Sequence, residues 1–84
     1  MKDAELSELR NRIDSIDREI SCLLAERFGI ARSMAERKLK QKVRDSAREE
    51  EVLDGVSSGR GSYSENIRAV YEEIIKQSRA VQCI

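Results

Sequence analysis

An all-helical chain of three helices, the first unusually long, is what this sequence predicts, and three observations carry that reading. The 84 residues contain no proline, no tryptophan, four glycines and only three aromatics. A β-sandwich or barrel of this length would want many turns, β-branched residues and aromatics. Charged residues (38%) and hydrophobic residues (39%) are nearly balanced, as suits helices with one apolar face. Finally, the apolar residues recur at helical spacing from the start of the chain.

The first helix follows from Leu6, Leu9, Ile13, Ile16, Ile20 and Leu23, spaced 3, 4, 3, 4, 3. The same rhythm continues to Arg27, Ile30 and Met34, a heptad seam with no proline inside it. Gly29 is its one weak point, costing about 1 kcal/mol against alanine. From about Asp3 to Lys40 such a helix is roughly 55 Å long. The rest of the chain is too short to cover this rod, so the seam is expected to pack against another subunit, most simply its own copy across a two-fold axis.

Arg27 puts a charge where the seam asks for an apolar residue. It reads either as a specificity residue snorkelling to the edge of an interface, or as a guanidinium facing an anionic ligand in a cavity. Lys38, eleven residues on, projects from nearly the same face of a continuous helix, about 16 Å further along. Arg10 lies about 100° away around the axis. It cannot readily serve the same pocket within one chain, but a partner's Arg10 could.

Residues 40–44 (KQKVR) lose the periodicity and read as a connection. Without interleaved aromatics, the basic run over residues 37–44 reads as a solvated face before it reads as a nucleic-acid contact. A second helix is predicted from Asp45 and Ser46, through Val52 and Leu53, to about Gly55. Ser46-Ala47-Arg48-Glu49 matches a capping box, which gives Glu49 a purely local role. Residues 57–62 (SSGRGS) form a loop, and Ser62-Tyr63-Ser64-Glu65 offers a capping box for a third helix. That helix has an apolar face of Ile67, Val70, Tyr71, Ile74 and Ile75. The face continues into Ser78 and Gln82, either because the helix end frays into water or because a polar interior needs them.

Composition narrows the function. A chain of 9.6 kDa struggles to bury a core alone, so a staple, a metal or a partner is expected. With no histidine and two cysteines, Cys22 and Cys83, the usual zinc sets are out of reach. The two cysteines read better as reduced thiols than as a disulfide, which leaves oligomerisation. Sixteen basic and sixteen acidic residues cancel, giving no support for a nucleic-acid or anionic-membrane partner. No apolar run is long enough for a bilayer, and the acidic opening differs from a signal peptide. A single cytoplasmic domain over residues 1–84 is expected. Arg27, Lys38, the neighbours Arg48 and Glu49, and Ser78 with Gln82 together imply a cation-rich pocket for a small dianion. It has no nucleophile–base pair, so hydrolysis and covalent catalysis are poorly served.

At these positions the chain resembles the all-helical chorismate mutases of the AroQ class. The matching stretches are Leu9-Arg10-Asn11-Arg12-Ile13-Asp14, residues 20–27 (ISCLLAER), Ala35-Glu36-Arg37-Lys38, residues 43–49 (VRDSARE) and residues 74–82 (IIKQSRAVQ). Their joint order covers almost the whole chain. The stretch from Lys38 to Asp45 is shorter than in familiar members and lacks their proline.

The resemblance implies an intertwined homodimer forming a six-helix bundle with two active sites. It implies rearrangement of chorismate to prephenate, on the route to phenylalanine and tyrosine, without cofactor or metal. By the same resemblance Arg27, Lys38 and the partner's Arg10 hold the two carboxylates, with Ser78 assisting. Lys38 and Gln82 donate to the ether oxygen, Glu49 accepts from the ring hydroxyl, Arg48 orients Glu49 and the ring, and the Asp45 backbone helps hold the hydroxyl. Two other readings fit the same residues. One is an isochorismate-pyruvate lyase on this scaffold. The other is a non-catalytic helical dimerisation module, or a regulatory mutase-like domain docked on a shikimate-pathway enzyme.

Overall fold

The computed structural model describes residues 3–37 and 45–83. It contains the three predicted helices, α1 (Asp3–Glu36), α2 (Ser46–Ser57) and α3 (Ser64–Gln82), with a 3₁₀ turn at Gly61–Tyr63. There is no strand among the described residues. α1 has 34 residues, about 51 Å of rod, and Gly29 does not interrupt it. Asp3 and Glu5 sit in its first turn, where acidic side chains complement the helix dipole. Arg37 closes the described part of α1 with its N–H on the Ser33 carbonyl at 3.1 Å. The expected extension to Lys40 lies outside the described residues, as does Lys38.

The capping of α2 differs from the expected box. Asp45, in extended conformation, is the N-cap, and its carboxylate accepts from the Arg48 N–H at 3.1 Å. A cap one residue earlier frees Glu49 from the local role. The other end also differs, because α2 passes through Gly55 and stops at Ser57. The Ser57 hydroxyl turns back onto its own helix, donating to the Leu53 carbonyl at 2.7 Å. The left-handed conformations that reverse the chain fall later, at Gly59 (φ 75°) and Gly61 (φ 62°). The capping box predicted at Ser62 does not form either. Ser62 lies inside the 3₁₀ turn, which runs directly into α3, and the N-cap Tyr63 makes no side-chain cap bond.

α3 packs against both α1 and α2. The apolar interior is small: Ala31, Leu53 and Ile75 are the buried hydrophobic side chains among the described residues. Arg68 ties α3 to α2, reaching Glu50 and, at 2.9 Å, Asp54. Those hydrogen bonds raise its already high pKa, Asp54 contributing most. In the C-terminal half of α1 the less exposed residues are Leu24, Arg27, Phe28, Ala31 and Ala35. Apart from Arg27, this strip lies beside the heptad seam, and the apolar seam residues Ile13 (57% exposed), Ile16 (54%) and Leu23 (63%) face outward. The molecule measures 57 × 25 × 15 Å with a radius of gyration of 16.4 Å, against about 12 Å for a compact domain of this length.

Candidate active site

Where α1 and α3 pack together, both polar interruptions of the apolar stripes find each other. Arg27 Nη1 donates to Ser78 Oγ at 2.5 Å, and the Ser78 hydroxyl donates to the Ile74 carbonyl at 2.9 Å. Ser78 is buried, and these two bonds meet the requirement that a buried hydroxyl be partnered. One turn further along α3, Gln82 Nε2 donates to the Ala31 carbonyl at 3.2 Å. The end of α3 is thus not frayed at these residues. Its polar side chains are engaged with α1, on the same helix face by their i, i+4 spacing.

Glu49 enters from α2. Its carboxylate is gripped at both oxygens by Arg79, Nε to Oε2 and Nη2 to Oε1, each at 3.0 Å. The hydrogen bond to Glu49 raises the Arg79 pKa, partly offset by desolvation. Arg48, the neighbour expected to orient Glu49, instead bonds Glu51 at 2.5 Å. The structure therefore pairs Glu49 with Arg79 across two helices and Arg48 with a residue of its own helix.

These groups border one cavity of about 290 Å³ between the three helices, near the lower end of the range for small-molecule sites. Arg27, Arg48, Glu49, Ser78, Arg79 and Gln82 supply its polar lining, and Ile30, Met34, Val52 and Ile75 its apolar walls. Three guanidinium groups against one carboxylate leave the lining electropositive, suited to an anion. No buried side-chain polar atom among the described residues lacks a partner. No group of three or more potential metal ligands occurs among them.

Five residues singled out in the sequence thus meet here: Arg27, Arg48, Glu49, Ser78 and Gln82. Arg10 does not join them within the chain. It is exposed on α1, seventeen residues before Arg27 and so about 26 Å away along the helix. Asp45 is exposed at the start of α2 and does not line the cavity; its carbonyl accepts the Glu49 N–H at 2.9 Å. Lys38 lies outside the described residues. Arg79 is the residue that sequence reasoning missed. Its one available signal was its place between Ser78 and Gln82, on the flank of the α3 stripe.

No helix among the described residues is long and apolar enough to cross a membrane. Comparison with known families matches residues 9–83 to chorismate mutase type II. No curated protein and no solved structure matched the chain. The family match takes in α2 and α3 whole and α1 from residue 9 onward. On that match the chain belongs to the chorismate mutase type II family, the all-helical AroQ class.

Proposed function

We propose that this chain is a chorismate mutase, rearranging chorismate to prephenate on the route to phenylalanine and tyrosine, and that it acts as a cytoplasmic homodimer. The observation that carries the reading is the cavity in which Arg27, Ser78 and Gln82 face Glu49 within an electropositive lining. A dicarboxylate fits that charge.

The reaction calls for no nucleophile and no general acid or base. In the substrate one ether C–O bond breaks as one C–C bond forms, and no proton or electron enters or leaves. Catalysis then reduces to holding the compact conformer and stabilising the negative charge that grows on the ether oxygen. Arg27, steadied by Ser78, takes one carboxylate, with Lys38 and the partner subunit's Arg10 completing the grip on the two. Gln82 exchanges the Ala31 carbonyl for the ether oxygen, beside Lys38. Glu49 accepts from the ring hydroxyl near the Asp45 backbone, and Arg48 lies against the ring. Only contacts stronger in the transition state raise kcat, so Lys38 and Gln82 carry most of it.

The homodimer is supported by surface. The chain exposes 7080 Å², where a compact monomer of this mass exposes about 5,100 Å². An excess of roughly 2,000 Å² per chain is the scale of an obligate interface. It coincides with the uncovered seam on α1, the element that carries Arg10.

The test is to incubate the purified protein with chorismate, without metal or cofactor, and to follow chorismate loss and prephenate formation. Wild type should form prephenate, Lys38→Ala almost none, and Arg27→Ala about 10²–10³-fold less per unit time. A well-folded protein that forms no prephenate would refute the reading. Pyruvate release from isochorismate in its place would assign the lyase activity.

A further inference from the structure

We infer that Arg79 is a positioning residue of this site, setting the plane and direction of the Glu49 carboxylate that the cavity presents to its ligand. The inference rests on the mutase reading for the ligand's identity, and on the geometry of the pair for everything else. The two bonds are parallel, equal at 3.0 Å, and use both carboxylate oxygens. A side-on guanidinium of this kind fixes rotation about the last bond of the glutamate, which a single bond or a lysine would leave free. The pair is partly shielded, with the Glu49 side chain 21% and the Arg79 side chain 37% exposed. Arg48, adjacent to Glu49 in sequence, has its guanidinium on Glu51.

Position adds to the argument. Arg79 lies between Ser78 and Gln82, so the turn of α3 that engages α1 also sets the α2 carboxylate. Charge adds a second consequence. A bare carboxylate in a cavity built for a dianion repels its ligand, and an opposite charge at hydrogen-bond distance cancels that repulsion while keeping the carboxylate ionised. Arg79 thereby lets an acidic residue serve as hydrogen-bond acceptor inside an anion site, and leaves Arg27 for the substrate.

The deciding experiment measures kcat and KM across pH for wild type, Arg79→Ala, Arg79→Lys, Glu49→Gln and the double variant Arg79→Ala/Glu49→Gln. Arg79→Ala should lower kcat/KM about 10²-fold, the scale of a displaced site group. It should also move the acid limb of the profile to higher pH, because Glu49 then protonates more readily. Arg79→Lys should return the acid limb toward wild type while recovering only part of the rate. Against Glu49→Gln, the Arg79→Ala change should add little, since residues acting as a unit are not additive.

A wild-type rate and profile in Arg79→Ala would overturn the inference, as would an equal loss in both backgrounds. If Arg79→Ala does not fold, Arg79→Lys decides, and a wild-type kcat/KM there would sink the two-point hold. An active wild type indifferent to position 79 refutes the positioning role alone. A wild type that forms no prephenate at any pH refutes it together with the mutase reading.

Discussion

The Ser78 hydroxyl does two jobs at once, receiving the Arg27 guanidinium and returning a hydrogen bond to its own helix. A half-buried cation on α1 therefore meets a satisfied acceptor rather than bare hydrocarbon, which removes much of the cost of placing it there. Gln82 is engaged more loosely, at 3.2 Å on a backbone carbonyl that helix geometry can satisfy without it. Gln82→Ala should therefore leave the far-ultraviolet circular dichroism and KM near wild type while kcat falls about 10²–10³-fold. A raised KM with kcat unchanged would mean instead that Gln82 binds substrate and transition state alike. Arg27, Ser78 and Gln82 were legible in the sequence because each breaks an apolar stripe, and a polar residue in a stripe demands a reason. Arg79 breaks nothing. Its meaning depends on a carboxylate thirty residues earlier on another helix, a relation that exists only once α2 and α3 are packed.

Among the elements, α1 was the most legible, because a heptad repeat fixes a helix and its outward face over many turns. The ends of α2 were less so. Gly55 read as a stop, yet a glycine adopts helical angles as readily as left-handed ones, and the reversal is made at Gly59 and Gly61. At the other end the capping-box spacing pointed to Ser46, and its neighbour Asp45 takes the cap instead. The choice matters for the site, because the Asp45 cap organises the turn that presents Arg48 and Glu49. Asp45→Ala should destabilise the protein by about 1 kcal/mol, seen as a lower denaturation midpoint. Asp45→Asn should retain most of that stability, because asparagine caps as well. Equal losses in the two variants would show that charge, not the cap bond, is what Asp45 supplies.

For the whole molecule, a thickness of 15 Å is little more than one helix diameter, so the chain has almost no interior of its own. Sedimentation or light scattering should give twice the mass of one chain; a stable monomer would remove the shared site. If Arg10 acts across the interface, mixing Arg10→Ala with Lys38→Ala chains should restore about a quarter of wild-type activity. Random pairing makes half the dimers mixed, each with one intact site. Verified heterodimers with no recovered activity would place Arg10 outside catalysis. The uncovered seam of α1 also sets the order of folding. Helix growth takes on the order of a microsecond, but in the proposed homodimer a rod with half its length bare is covered only when a second rod arrives. In the proposed homodimer the slow step of refolding is then an encounter between two chains. Its half-time shortens as protein is added, and its barrier is diffusional search rather than the closing of any loop.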